Sequence, residues 1–254
     1  MKITVVTIVK DNVKHIEECI KSVLAQNYPA IEYIVVDGGS VDGTLEVVDS
    51  YGSSISRVIR GQDAGLYDAL NVGIAAATGD VIGFLHSDDL YQNEDVIRKV
   101  ADRFLKNNIE AVYGDLVYVD REDESKIIRY WKTGRYSSKK FRLGWSIPHP
   151  TLFVKKITYE KYGLYNTKLK ISSDYEMMIR LLSKNHINVA YIPEVFVRMR
   201  TGGVSNRDIP SIIRKTKEDY KAWKMNGTPR AYGTVLRKNL VKLSQFFYRE
   251  RDAI

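Results

Sequence analysis

The sequence has little of several features that would settle its class at once. It contains one cysteine, Cys19, in 254 residues, which excludes an intrachain disulfide and a zinc site built from thiolates. No apolar run approaches the roughly 20 residues that cross a bilayer, and the apolar stretch at residues 1–9 is too short for a signal peptide. Internal repeats and low-complexity segments are also absent. The sequence predicts a cytoplasmic protein, and attachment to the inner face of the cell membrane stays open.

The composition is that of an ordinary globular protein. Hydrophobic residues make up 44% and charged residues 28% of the chain, and its length suits one large domain or one domain with an appendage. The net charge of +8 favours polyanionic partners such as phosphates, nucleic acid or an anionic membrane. No nucleic-acid motif is recognised and the acids cluster where a ligand should bind, so no nucleic-acid partner is expected.

Apolar runs and amphipathic stretches alternate through the first half of the chain. Strands are predicted at residues 3–9, 33–36, 56–60 and 81–86, and helices at residues 13–25, 44–51, 66–77 and 95–106. Such alternation predicts an α/β fold with a mostly parallel sheet and helices on both faces. Ligands of such sheets bind at the carboxyl ends of the strands.

The pattern changes beyond Glu110, where an antiparallel or mixed extension of the sheet is expected. Strands are predicted at residues 111–119, 126–131 and 188–192, and helices at residues 155–162 and 174–184. We therefore predict a catalytic domain over 1–205, made of a ligand-binding half (1–109) and an acceptor half (110–205). Residues 206–254 are predicted to form a basic, helical C-terminal extension.

An apolar run ends abruptly in two adjacent carboxylates within FLHSDDL, residues 84–90. Asp88 and Asp89 follow a predicted buried strand, and hard divalent cations prefer such oxygen ligands. Mg²⁺ takes one or two protein carboxylates and leaves its other positions to water and phosphates. The pair therefore suggests a cation site. The alternative is a solvated loop or a helix N-cap, where Asp is also favoured.

Similar loops follow the other strands of the first half. Thr7 closes the first strand, Asp37-Gly38-Gly39 follows the second, and Asp63-Ala64-Gly65 follows the third. The motifs VVDGGSVDGT and DAGLYDALNVGIAAATGDVIGFLHSDD, with their spacing, resemble the nucleotide-diphospho-sugar-binding half of glycosyltransferase family two, the inverting enzymes of the GT-A fold. The resemblance is closest to bacterial members that build O-antigen, capsule and exopolysaccharide. It covers residues 1 to about 100 closely and runs more loosely to residue 205, and the last fifty residues lie outside it.

The resemblance implies roles for the residues of these loops. Thr7 and Asp63 would contact the nucleoside base, and Asp37 would accept hydrogen bonds from the ribose hydroxyls or the base, while Gly38 permits the tight turn. Asp88 would lie near the sugar and ribose. Asp89 would hold Mn²⁺ or Mg²⁺ between the two phosphates, where the metal neutralises charge on the leaving diphosphate.

Asp174 occupies the place of the family's catalytic aspartate, at the start of a predicted helix. It would take the proton from the acceptor hydroxyl as that oxygen attacks the anomeric carbon, and one such displacement inverts the configuration. Ser173 stands where a common form of the family has Glu, which leaves the role of that acidic neighbour in doubt. The alternative is that Asp174 only caps the helix, for which Ser172 and Ser173 serve equally well.

Arg198 and Arg200 precede a glycine-containing loop, residues 201–205, that resembles the family's lid segment. Many relatives have His in place of Arg200, sometimes close to the metal. Arginine cannot ligate a cation but can clamp a phosphate, so both arginines are predicted to bind the diphosphate. An exposed basic loop is the alternative. His86 is predicted to pack at the sheet edge near the site, and His149 to lie on the acceptor side.

The predicted reaction is transfer of a hexosyl-type sugar from a nucleotide-diphospho-sugar, with UDP as the expected carrier, to a glycan or lipid-linked acceptor. The competing hypothesis is a nucleotide-sugar-binding module without catalysis, against which the presence of Asp89 and Asp174 argues. The tail has the composition of an interfacial helix, because an apolar stripe recurs among basic residues. The same stripe is equally suited to pack on the catalytic domain or on a second subunit, as in a homodimer. Its apolar members are Tyr232, Leu236, Leu240, Leu243 and Phe247, and its basic members are Arg237, Lys238, Lys242, Arg249 and Arg251.

Overall fold

The structure of the protein is a computed structural model. It describes residues 1–61, 65–106, 108–202, 209–228 and 231–244, with the backbone alone at 209–212 and 239–244. Within these ranges no helix combines the length and the apolar character that a membrane crossing requires.

The first half of the chain alternates strands and helices. In chain order its elements are β1 (Ile3–Val9), α1 (Ile16–Leu24), β2 (Ile31–Asp37), α2 (Thr44–Ser50), β3 (Arg57–Arg60), α3 (Leu66–Ala76), β4 (Val81–Phe84), β5 (Leu90–Tyr91) and α4 (Val96–Phe104). Strands β3, β2, β1 and β4 pair in that order and all in parallel. Both β1 and β2 are rich in β-branched residues and buried on both faces, as central parallel strands are.

The second half extends this sheet with mixed pairing. Its elements are β6 (Ala111–Val119), β7 (Ile127–Trp131), α5 (Ser138–Arg142), β8 (Phe153–Lys155), α6 (Lys156–Tyr162), α7 (Ser173–Met178) and β9 (Val189–Arg200). Strand β8 pairs antiparallel with both β4 and β6, and β9 pairs parallel with β6 and antiparallel with β5. Strand β7 forms a hairpin with β6. In the described part of the chain, nine strands thus form one sheet.

Two further helices follow, α8 (Ile209–Met225) and α9 (Tyr232–Ser244). The hydrophobic cluster that contains α3 and α7, on one face of the sheet, also contains Ala222 and Trp223 of α8, Val235 of α9, and Ala231, which directly precedes α9. Helices α1 and α4 cover the other face. The described part of the C-terminal extension therefore packs on the catalytic domain.

The predicted fold class is confirmed: an α/β sheet with helices on both faces and a helical C-terminal segment. The sheet is parallel in the first half and mixed beyond Glu110, as the change of pattern indicated. Some boundaries were wrong. The strand predicted at 188–192 continues to Arg200, and the helix predicted at 174–184 ends as a π-helical turn, Ile179–Lys184. The short strands β5 and β8 were missed because they are two and three residues long.

Candidate active site

The carboxyl ends of the parallel strands lie together at one edge of the sheet. Val9, the last residue of β1, pairs with Asp37, the last residue of β2, and Asp37 pairs with Arg60 of β3. The chain then stays close to this edge, because Gly38 donates its N–H to the Val9 carbonyl at 2.8 Å and Gly61 donates to the Asp37 carbonyl at 3.0 Å. This is the edge where ligands of open α/β sheets bind.

The Asp37 carboxylate shapes the loop that follows β2. It accepts hydrogen bonds from the backbone N–H of Gly39 at 2.8 Å and from the N–H and hydroxyl of Ser40 at 3.1 and 2.5 Å. Gly39 has a φ of +86°, which favours glycine. Asp37 is 1% exposed, so in this structure its first function is to fix the loop at the sheet edge.

Thr7 lies in the packing of β1 against α1. Its side chain is completely buried, its hydroxyl accepts a hydrogen bond from the Tyr33 hydroxyl at 3.1 Å, and Cys19 Sγ lies 3.7 Å away. The position of Thr7 does not support the predicted contact with a nucleoside base, because neighbouring side chains cover its hydroxyl. Thr7 therefore packs between the sheet and α1.

The acidic loop after β4 carries the least satisfied charge of the site. Asp89 is completely buried, and neither of its carboxylate oxygens has a hydrogen-bond partner among the described residues. Burial, with Asp88 beside it, raises the pKa of Asp89 well above its usual range, against the opposing effect of Arg200. Asp88 is half-buried. The loop is tied to the sheet edge through Asn12, whose side chain donates to Ser87 Oγ at 2.9 Å.

These features of Asp89 suit a cation ligand. A buried carboxylate without partners is unfavourable by itself, and a divalent cation is a partner that would satisfy it. Across the described ranges no three His, Cys, Asp or Glu side chains converge into a ready-made metal cluster.

Arg200, the last residue of β9, contacts the backbone of the acidic loop. Its Nη1 donates to the Asp88 carbonyl at 2.9 Å, and its Nη2 pairs with Glu124 at 3.2 Å and with Glu18. With 4% exposure, Arg200 is not part of an exposed basic loop, so that alternative is wrong for this residue. Arg198 is half-buried and donates to the Glu124 carbonyl at 2.7 Å. Both arginines thus lie at the site, and N–H groups of each guanidinium group already donate hydrogen bonds to protein oxygens.

Asp174 lies in the first turn of α7. Its Oδ1 accepts a hydrogen bond from the Tyr67 hydroxyl at 3.2 Å. Burial alone would raise the pKa of Asp174, but the positive charges of Lys215 and Lys238 oppose burial, and the pKa lies below its usual value. The carboxylate is therefore ionised at neutral pH and able to accept a proton. No capping hydrogen bond is made by the side chain of Ser172, which precedes α7.

An aromatic row connects the acidic loop to Asp174. The rings of His86 and His149 are 5.9 Å apart, and His149 Nε2 lies 2.6 Å from the Tyr165 hydroxyl. Tyr165 stacks on Tyr67, whose hydroxyl reaches Asp174. Burial lowers the pKa of His149 to about 4 and also lowers that of His86. Both rings are thus neutral at pH 7 and line the space between the two acids.

The structure also contains site residues that the sequence did not reveal. Tyr67 lies within a motif that was recognised, but nothing in the motif indicated its contact with Asp174. Lys238, counted above with the basic face of the tail, is buried and pairs with Asp219 at 2.8 Å, so that assignment was wrong. Asp63 and residues 203–205 of the lid segment lie outside the described residues, and their predicted roles stay predictions.

This fold, with acids at the carboxyl edge of its sheet facing a carboxylate on α7, defines the class of the protein as a GT-A-type glycosyltransferase. The chain belongs to glycosyl transferase family 2, whose family model matches residues 4–155. It is 29% identical over 192 residues to a PGL/p-HBAD biosynthesis glycosyltransferase of Mycobacterium bovis, spanning 74% of this chain and 73% of that protein. It is 31% identical over 228 residues to an uncharacterized glycosyltransferase of Rickettsia typhi, spanning 87% of this chain and 69% of that protein.

Solved structures share the fold at lower identity. S. aureus TarS 1-349 in complex with UDP-GlcNAc is 17% identical, with a TM-score of 0.67 over 89% of this chain and 65% of that chain. The mannosyltransferase PcManGT from Pyrobaculum calidifontis, in complex with GDP-Man and Mn²⁺, is 15% identical, with a TM-score of 0.62 over 96% of this chain and 75% of that chain. These likenesses confirm the GT-A fold.

Proposed function

We propose that the protein transfers a sugar from a nucleotide-diphospho-sugar to a hydroxyl acceptor with inversion of the anomeric configuration. The observation that carries this proposal is the placement of two different carboxylates. Asp89 is buried and its carboxylate oxygens have no hydrogen-bond partner among the described residues, whereas Asp174 is ionised and half-buried. The first environment suits a cation that assists the leaving diphosphate, and the second suits the base of an inverting transfer.

In this proposal the donor diphosphate lies at the carboxyl edge of β1, β2 and β4. Asp37 and Gly38 shape the loop beside the nucleoside, and Asp63 is the second acid that we expect to contact the base. Asp88 is directed to the sugar and ribose. Arg200 and Arg198 hold the acidic loop in place and add positive charge near the diphosphate. Asp89 would hold Mn²⁺ or Mg²⁺, which when bound neutralises charge on the departing diphosphate.

Asp174 acts as the general base. Its carboxylate accepts the proton of the acceptor hydroxyl while the acceptor oxygen bonds to the anomeric carbon and the diphosphate leaves from the opposite face. The Tyr67 hydroxyl orients Asp174 through its hydrogen bond. The rings of His86 and His149 lie between the acids, where we propose that they line the acceptor side.

The nucleotide carrier and the acceptor complete the proposal. UDP is the favoured carrier, supported by the complexes of S. aureus TarS with UDP and UDP-GlcNAc. The GDP-Man complex of the Pyrobaculum calidifontis mannosyltransferase makes GDP the second choice. For the acceptor we propose a glycan or lipid-linked sugar of bacterial surface polysaccharide synthesis.

The test is release of nucleotide from a panel of UDP-GlcNAc, UDP-glucose, UDP-galactose and GDP-mannose, with Mn²⁺, with Mg²⁺ and with EDTA. We expect one donor to be turned over in the presence of metal, and Asp174→Asn to abolish most of that turnover. Asp102→Asn, the same chemical change on an exposed face of α4, is the matched control. Binding of a donor without any turnover would instead favour the non-catalytic module.

The tail presents an exposed apolar pair to solvent. Tyr232 and Leu236 are 70% and 66% exposed, whereas Val235 and Lys238 of the same helix are buried. The Tyr232 ring stacks on Tyr220 of α8 with centroids 4.2 Å apart, so of the described stripe residues it is Leu236 that is most open to a further partner. The side chains of Leu240, Leu243 and Phe247 lie outside the described residues. We propose reversible binding to the inner face of the membrane, where a lipid-linked acceptor would be found.

A further inference from the structure

The segment that carries Asp174 is held by a carboxylate from the C-terminal extension. Glu218 of α8 is 8% exposed, and it accepts hydrogen bonds from three consecutive backbone N–H groups. These are the N–H groups of Lys170 at 3.1 Å, Ile171 at 2.8 Å and Ser172 at 3.0 Å. Hydrogen bonds to an ionised carboxylate are about twice as strong as neutral ones. Glu218 thus fixes the backbone directly ahead of the first turn of α7.

The same segment is held from its other side by the nucleotide-binding half. The Tyr67 hydroxyl of α3 lies 2.7 Å from the Ile171 carbonyl as well as 3.2 Å from Asp174. The N–H of Ile171 therefore donates to Glu218, and its carbonyl accepts a hydrogen bond from Tyr67. Loss of either contact would free the backbone that aims the Asp174 carboxylate.

A buried ion pair anchors α8 and α9 beside Asp174. Lys238 of α9 pairs with Asp219 of α8 at 2.8 Å, and its Nζ lies 3.1 Å from the ring centroid of Tyr175. Trp223 Nε1 donates to the Tyr175 hydroxyl at 3.1 Å. Tyr175 immediately follows Asp174, so both C-terminal helices contact the neighbour of the proposed base.

We infer that α8 and α9 belong to the catalytic site, with Glu218 as the positioning residue for the segment that carries Asp174. Lys215 and Lys238 add positive charge beside the same carboxylate. This inference rests on the proposed function, because it assigns a role relative to Asp174 as the base. It also explains why the C-terminal segment, which lies beyond the family match at residues 4–155, is packed into the core.

The first test measures the position of the segment without using activity. Glu218→Gln keeps the shape of the side chain and one amide oxygen, whereas Glu218→Ala removes every acceptor. We expect hydrogen–deuterium exchange of the amides at 170–172 to accelerate in Glu218→Ala and less so in Glu218→Gln. Unchanged exchange at these amides in both variants would overturn the inference.

The second test separates positioning from general stability. With the donor that the full chain turns over fastest in the panel above, kcat of Glu218→Ala should fall roughly 10- to 100-fold, the range expected for a misplaced catalytic group, while KM for the donor stays nearly unchanged. Glu218→Gln should retain more activity than Glu218→Ala. If the alanine variant does not fold, the test is made with the glutamine variant only. The matched control is Glu32→Gln, because Glu32 is also 8% exposed and also accepts several hydrogen bonds, at the far end of β2.

The outcomes distinguish this inference from the proposed function. If Asp174→Asn loses turnover and folded Glu218→Ala does not, the inference is wrong and the proposed function stands. If Glu32→Gln lowers kcat as much as Glu218→Gln does, the effect is general destabilisation and the inference is again wrong. If Asp174→Asn retains full turnover, the proposed function fails first.

A pH profile provides a readout that a purely structural role would not move. The groups facing Asp174 are Tyr67, His86, His149, Tyr165, Lys215 and Lys238. Lys215 is half-buried, so Lys215→Gln should leave the fold intact while removing a charge that lowers the pKa of Asp174. The acid limb of kcat should then move to higher pH. A limb that does not move, or that moves to lower pH, would contradict a role of Lys215 in the site.

Discussion

The Tyr67 hydroxyl of α3 lies 3.2 Å from Asp174 Oδ1 and 2.7 Å from the Ile171 carbonyl, and so connects α3 to the segment that carries α7. Helix α3 thereby contacts the proposed base. Under the proposed function, this contact fixes the position of the base relative to a donor bound at the sheet edge. The geometry of the proposed transfer would then depend on the packing of α3 against the segment before α7.

The first prediction concerns the base. Asp174→Asn removes the proton acceptor but keeps the size of the side chain and the acceptor oxygen for Tyr67. Turnover should fall by a factor of about 10² to 10⁴. Affinity for the nucleotide should stay close to that of the wild-type protein, as measured by titration calorimetry with UDP and Mn²⁺. Normal turnover in a folded variant would return Asp174 to the role of a helix cap.

The second prediction concerns the buried carboxylate. Asp89→Asn removes a charge that has no partner among the described residues, so the metal-free protein should become more stable, by about 1–3 kcal/mol in free energy of unfolding. The same variant should lose the stabilisation that Mn²⁺ with UDP gives the unchanged protein. Thermal unfolding in EDTA and in Mn²⁺ with UDP measures both effects. A variant that still responds to Mn²⁺ with UDP would show that the cation binds elsewhere.

The third prediction is a pH dependence of stability away from the site. Although burial opposes it, hydrogen bonds from Thr4, Thr78 and Lys2 lower the pKa of Glu32 to about 2, from 4.5. A carboxyl whose pKa is lowered on folding stabilises the fold at any pH above the pKa it has in the unfolded chain. For Glu32 this contribution is roughly 3 kcal/mol, and it disappears as the pH falls from 4.5 towards 2.

Urea unfolding between pH 6 and pH 3, on the protein and on Glu32→Gln, measures this contribution. The variant should be less stable at pH 6, and the difference should shrink as the pH falls. A difference that stays constant with pH would mean that the Glu32 carboxylate is not stabilised by its hydrogen bonds.

The fourth prediction concerns the exposed face of α9. Leu236→Ser should weaken sedimentation with phosphatidylglycerol-containing vesicles at low salt by roughly tenfold or more, because burial of a leucine contributes about 1.5–3 kcal/mol. Ile157→Ser, on α6, is the matched control, since Ile157 is 61% exposed and Leu236 is 66% exposed. If the unchanged protein does not sediment with these vesicles but forms a dimer that Leu236→Ser dissociates, the stripe is a subunit interface.

The sequence predicted the sheet and its edge because the physical signals there are local. Runs of β-branched residues define β1 and β2, and the acids of the edge lie at a strand end or within five residues after one. Thr7 shows the limit of this reasoning. Both faces of β1 are buried, so the alternation of side chains gave no sign that Thr7 points towards α1 instead of the ligand edge.

The ion pairs of Arg200 and the position of Glu218 could not be predicted, because the partners of both residues are distant in sequence. Arg200 is buried by ion pairs with Glu18 and Glu124, from α1 and from the turn between β6 and β7. Glu218 contacts amides that lie 46 to 48 residues earlier in the chain. Charged side chains on an amphipathic helix indicate a solvated face, and tertiary packing alone decides which of them turns inward.

The central claim is that the protein transfers the donor sugar in a single displacement, with Asp174 as the base. It is tested most directly by the anomeric configuration of the first product. The reaction is started with the α-linked UDP-sugar or GDP-mannose that the protein turns over. Proton NMR recorded before mutarotation then reports the configuration of the sugar delivered to water or to an added acceptor. The account predicts that the β-anomer forms first and that Asp174→Asn produces almost none of it. Initial formation of the α-anomer, or equal turnover by Asp174→Asn, would contradict the account.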